Sequence, residues 1–168
     1  MPSKWRLLTL LIAMAGGVFA VVGAFIEEAL HGLFFAPFVA APIIEEALKP
    51  SGVYLLLAKW PNTLRSQAYT AFLAALGGLL FAVIENILYL EVYIPEPTHA
   101  VVLVRWSAGL TMHMLCSFIV GFGINQRLLA SARGEVPFLS GNKKFFVIAM
   151  VIHSLYNVTA VTVWVILG

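Results

Sequence analysis

Five stretches of roughly twenty residues, each apolar enough to cross a hydrocarbon core, constrain this chain more than any other feature. They lie near Trp5–Ile26, Phe34–Ala58, Gln67–Leu90, Val101–Leu128 and Lys144–Leu167. Lipid offers no partner for backbone N–H and C=O groups, so such stretches must satisfy their own backbones as helices. The fold class that follows is all-α: a polytopic membrane protein, a bundle of about five transmembrane helices with a polar interior site. Composition agrees, since 61% of the 168 residues are hydrophobic and only 11% are charged. Soluble domains carry about a quarter charged residues. No Pro/Ser-rich linker interrupts the chain, so residues 1–168 are expected to form one membrane-embedded domain.

The first stretch, with Lys4 and Arg6 ahead of it and a VFA tripeptide near its end, also has the outline of a leader. It is read here as a retained span. Charges in the loops alternate: Lys4 and Arg6, then Glu27 and Glu28, then Lys59 and Arg65, then Glu91 and Glu96, then Arg127, Arg133, Lys143 and Lys144. Basic loops stay cytoplasmic, which places the N-terminus in the cytoplasm and the C-terminus outside a cell membrane. A net charge of +2 without a basic patch excludes a nucleic-acid partner. The single Cys116 excludes an internal disulfide and reads as core filler.

Polar residues inside the spans are the anomaly. Glu45, Glu46 and Lys49 fall in the second, Glu85 and Asn86 in the third, His113 in the fourth, His153 and Asn157 in the fifth, and Arg105 stands just inside the start of the fourth. The three charges in the second span cost about 7–10 kcal/mol on the insertion scale, and its Leu, Ile, Val and Phe residues return only about 3–7 kcal/mol. That span needs partners in the bundle. Its charges lie at overlapping depth with His113, His153 and Asn157, given a rise of about 1.5 Å per residue. Glu45 and Lys49 share a helical face, as do His153 and Asn157, both pairs being four residues apart. Arg105, Gly109, His113, Ser117 and Gly121 repeat every fourth residue, a spacing that lets helices approach closely. Pro42 and Pro50 remove N–H donors and free carbonyls beside the carboxylates, and the helix is expected to continue through them. Glu27 and Glu28, beside His31, read as an interfacial acidic pair. Tyr54, Tyr69, Tyr89, Trp60 and Trp106 read as interfacial or packing aromatics.

Peptide hydrolysis needs a general base, a proton donor and donors for the oxyanion. Carboxyl groups in poorly solvated surroundings hold protons more tightly than in water, and His and Asn donate hydrogen bonds. The inventory therefore suits hydrolysis. Two His and a Glu also form a known zinc set, although no HExxH helix is present. A proton-coupled carrier would use the same Glu and His residues as a relay, and a non-catalytic scaffold or immunity protein would need none of them.

Four segments carry a family resemblance: EEALK at 45–49, FAVIEN at 81–86, RWSAGLTMH at 105–113 and HSLYN at 153–157. In this order they resemble the PrsW family of intramembrane proteases, related to the CAAX-prenyl-protease and bacteriocin-processing group. The resemblance implies a membrane-embedded peptidase domain that cleaves a membrane-anchored protein substrate in the lipid bilayer, such as an anti-sigma-factor-like regulator. It implies Glu45 and Glu46 as the catalytic acid pair, with His113 and His153 assisting and Asn157 at the oxyanion. Lys49, Glu85, Asn86 and Arg105 are expected around the substrate. No cofactor is expected, zinc being the alternative. Against the EExxxR and FxxxH pattern of the CAAX branch, Lys49 stands one position early and Glu85 replaces the His, which argues against prenylated substrates.

Overall fold

A computed structural model describes residues 3–167, with side chains for residues 4–27, 29, 30 and 38–162. Among them every regular element is helical. Helix α1 (Ser3–Phe35) runs through a π-turn (Ala36–Ala40) into α2 (Ala41–Leu48), and α3 (Ser51–Lys59) follows. Helix α4 (Gln67–Leu88) ends in a second π-turn (Tyr89–Tyr93). Helix α5 (His99–Val104) continues through a third (Arg105–Gly109) into α6 (Leu110–Gly121). Helices α7 (Gln126–Ala132) and α8 (Lys143–Leu167) complete the chain. Among the described residues four helical stretches are long and apolar enough to cross a membrane: Lys4–Glu27, Gln67–Tyr93, His99–Gly121 and Lys143–Thr162.

The expected second span differs from a single helix. Pro50 has no N–H to give the carbonyl of Glu46, and α2 ends there. The helix restarts when Val53 and Tyr54 both donate to the Pro50 carbonyl, at 2.8 and 3.1 Å. Pro50 thus breaks the helix that was expected to continue. Pro42 does not: it is the second residue of α2 and follows directly on the π-turn Ala36–Ala40. The two pieces still run together along α1. Gly52 packs on Ile12, and Trp60 meets Trp5 with ring centroids 6.5 Å apart, so α3 ends beside the start of α1. Helix α3 therefore runs antiparallel to α1.

The fourth span stops at Gly121, earlier than its hydropathy suggests. Asn125 explains this: its side chain accepts from the N–H groups of Arg127 and Leu128, at 3.0 and 3.3 Å, and starts α7 as a separate helix.

Small residues set the closeness of the bundle. A Cβ on Gly78 would strike Ser117 and the His113 carbonyl, and one on Gly121 would strike Ala71. The expected small-residue stripe of α6 is thus the seam with α4. Val53, Leu56, Leu73, Ala74, Cys116, Val120 and Ala149 fill the core between these elements. Leu7, Leu11, Val18, Phe19 and Val22 are exposed along α1 on the face left for lipid.

Candidate active site

The break after α2 places its charges. Glu45, Glu46 and Lys49 occupy the last turn before Pro50, and all three are buried. The carbonyl of Lys49 lies so close to Gly16 of α1 and Gly77 of α4 that a Cβ at either glycine would collide with it. Any larger residue would push the broken helix away from the neighbours that complete the site.

Lys49 is fully buried, with its ammonium at the centre. Its Nζ lies 2.7 Å from Nδ1 of His113, 2.8 Å from Oε1 of Glu46 and 3.0 Å from Oε2 of Glu45. The Glu45 contact is at ion-pair distance but not aligned for a hydrogen bond. The ring of Phe81 closes another side, 4.3 Å from Nζ to centroid. Glu46 Oε1 also meets Nδ1 of His153 at 2.8 Å, while Nε2 of His153 lies 3.8 Å from Glu45 Oε2. On the other side Nε2 of His113 meets Glu85 Oε2 at 3.0 Å. Arg105 reaches the same oxygen at 3.1 Å and donates to Asn86 Oδ1 at 3.1 Å. Asn86 Nδ2 donates back to the Arg105 carbonyl at 2.9 Å.

These partners assign the imidazole tautomers. An ammonium can only donate, so Nδ1 of His113 accepts and its Nε2–H donates to Glu85. Nδ1–H of His153 donates to Glu46, and its Nε2 faces Glu45 Oε2 across 3.8 Å. The two rings meet edge to face, centroids 4.9 Å apart.

A cavity of about 200 Å³ adjoins this network. Glu45, Glu85, Arg105, His113 and Asn157 form part of its wall. Glu46, Lys49, His153 and Asn86 are not on that wall. The adjacent glutamates are thereby distinguished: Glu45 faces the cavity, and Glu46 is held behind it. Lys49, expected beside the substrate, lies behind the wall as well. The cavity is bounded by the later parts of α1, α4 and α8 and the start of the α5–α6 crossing, so it belongs to one end of the bundle. The three π-turns cluster at that same end. Such turns often mark functional sites in helices.

Three wall residues were not assigned to the site from the sequence. Glu27 is 2% exposed and lines the cavity, where an interfacial position was expected. Glu28 and His31 lie outside the described side chains. The missed signal is the spacing Thr9, Ala13, Gly16, Ala20, Gly23, Glu27, in steps of four and three, which puts Glu27 on the buried face of α1. Tyr89, expected as an interfacial or packing aromatic, lies under the Arg105 guanidinium at 3.9 Å and lines the cavity. Tyr156 lines it too, its hydroxyl near Gly109.

Glu45, His113 and His153 present ligand atoms within 4.8 Å of one another, a donor set that zinc accepts. The surroundings do not fit a dication. Both ring nitrogens of His113 are engaged, by Lys49 and by Glu85, and a buried ammonium already lies 3.0 Å from Glu45.

Fold and site together define a polytopic membrane protein with a buried acid–histidine centre at a cavity wall. The family model described as PrsW family intramembrane metalloprotease matches residues 2–167. The chain belongs to that family of intramembrane proteases. No curated protein and no solved structure matches it.

Proposed function

We propose that this protein is a glutamate-type intramembrane endopeptidase that hydrolyses a peptide bond in or near a membrane-tethered protein. The observation that carries this reading is the division of labour in the acid pair, with Glu45 on the cavity wall and Glu46 behind it. Glu45 takes a proton from a water in the cavity as the water oxygen attacks the scissile carbonyl. The new C–O bond places negative charge on the carbonyl oxygen, which Asn157 and Arg105 meet from the same wall. Collapse breaks the C–N bond, and Glu45 returns its proton to the leaving amine. Glu46 fixes His153 and Lys49, and Glu85 fixes His113 and Arg105. The substrate is a single-span regulator of the anti-sigma-factor kind, cut at the end of the bundle away from the N-terminus. With basic loops cytoplasmic, that end is extracytoplasmic in the cell membrane.

The test compares membrane-protein fragments in cells carrying the wild type and Glu45→Ala. Fragments that vanish in Glu45→Ala, Glu46→Ala and His153→Ala name the substrate. Full activity in Glu45→Ala excludes this reading. A second reading, a metalloprotease on Glu45, His113 and His153, draws support from the mutual distances of those three residues. Activity that chelators remove and zinc restores would select it.

A further inference from the structure

We propose that Lys49 is the resident cation of this centre: its ammonium fills the place of a divalent ion, and replacing it with a neutral residue opens a zinc site on Glu45, His113 and His153. The inference rests on the protease reading for its location and on the contacts of Lys49 for its content.

An ammonium has three N–H donors. Here two acceptors, His113 Nδ1 and Glu46 Oε1, lie at 2.7 and 2.8 Å, and Glu45 Oε2 stands at ion-pair distance, 3.0 Å. They come from two elements, and the Phe81 ring of α4 covers another side. This is a coordination shell in outline, one imidazole nitrogen and two carboxylates converging on a buried positive centre. Two of those three residues belong to the triad that zinc would use. The ammonium and a metal therefore compete for the same lone pairs.

Charge points the same way. The network joined by contacts of 3.1 Å or less holds the carboxylates Glu45, Glu46 and Glu85 and the cations Lys49 and Arg105. Fully ionised it carries one net negative charge. A dication beside Lys49 would reverse that sign in a poorly solvated interior. Without Lys49 the network carries two negative charges, which a dication cancels. Loss of Lys49 also frees His113 Nδ1, and Nε2 of His153 already faces Glu45.

The experiment counts metal, with cleavage scored separately. Wild type, Lys49→Met, Lys49→Gln and Lys49→Arg are purified in detergent, dialysed against zinc and then against metal-free buffer, and analysed for zinc per chain. Cobalt in place of zinc reports tetrahedral ligation through its visible bands. The expected result is no stoichiometric zinc in wild type or Lys49→Arg. Lys49→Met or Lys49→Gln takes up about one equivalent, lost again when His113→Ala or His153→Ala is added. If the neutral variants aggregate, zinc in the growth medium restores a monodisperse protein. Aggregation that zinc does not relieve overturns the proposal, as does a folded neutral variant that binds no metal. Stoichiometric zinc in wild type, lost in Glu45→Ala, also overturns it and leaves a protease of the metal type. Absence of cleavage with the expected metal counts would instead remove the protease reading alone.

Discussion

Nδ1 of His153 lies 2.8 Å from Oε1 of Glu46, joining two residues 107 positions apart in the chain. This contact ties the final membrane helix to the broken one. It makes Glu46 the second point of support for the centre after Lys49. Truncating one partner of a buried charged pair costs about 3–5 kcal/mol. Glu46→Ala is therefore expected to lower the thermal midpoint in detergent clearly. Glu45→Ala, at the cavity wall, should lower it less. Thermal unfolding of both variants at one detergent concentration checks the ranking, and equal losses would contradict the placement of Glu46 behind the wall.

Catalysis should rank the other way in one respect. Glu45→Gln keeps the shape of the side chain and removes the base, and general-base contributions are about 100- to 10,000-fold. A loss in that range is expected with little change in stability. Initial rates on a co-expressed or reconstituted single-span substrate provide the measurement. A Glu45→Gln protein within a few-fold of wild type would exclude Glu45 as the base.

Glu85 and His113 should behave as a unit. Glu85 Oε2 takes His113 Nε2 at 3.0 Å and Arg105 at 3.1 Å. Glu85→Gln and His113→Gln are each expected to reduce cleavage, and the double variant should lose less than the product of the two. Coupled residues in one network show interaction energies of about 0.5–3 kcal/mol. A double-mutant cycle on cleavage rate measures this, and additive effects would show that the pair acts independently.

Arg105 offers a test that separates binding from chemistry. It spans Glu85, Asn86 and the Tyr89 ring. A lysine reaches only as a point charge, without the planar fork. Arg105→Lys is expected to lower kcat with a smaller change in KM, because the fork holds the wall in register. A rise in KM alone would assign Arg105 to substrate binding.

Gly16→Val and Gly77→Val probe the support of the break. Either Cβ would collide with the Lys49 carbonyl, which is backbone and has little room to yield. Overpacking of this kind costs about 1–3 kcal/mol. Both variants are expected to unfold at lower temperature and to lose cleavage, although neither residue touches the cavity. Normal activity in Gly77→Val would show that the break tolerates displacement.

Much of this architecture was legible in the sequence because lipid leaves few choices. Apolar length marked the spans, and charges at depth marked the residues that had to meet. Glu45, Glu46, Lys49, His113 and His153 do meet, and Glu85 and Arg105 join them through His113. Hydropathy did not show the break at Pro50, since a broken and a continuous crossing have the same composition. Nor did it show the end of α6, which depends on one side-chain cap at Asn125. Glu27 was misplaced because nearness to a span end was read as exposure, while the small-residue spacing of α1 continued to it. The division between Glu45 and Glu46 could not be read at all. Neighbours on a helix differ by a quarter turn, and only packed partners decide which one faces a cavity.

The contact between Glu46 and His153 also orders events at the ribosome. Chains enter the membrane from the N-terminus, so the acid pair is inserted long before α8 is synthesised. Until residue 153 arrives, Glu46 has no imidazole to hold and the wall that carries Asn157 does not exist. A nascent chain in the insertion machinery, surrounded by other unfolded membrane segments, thus carries an incomplete acid–histidine centre. Under the proposed mechanism, competence to cleave would come only with the last helix, and completion of synthesis would guard against premature proteolysis.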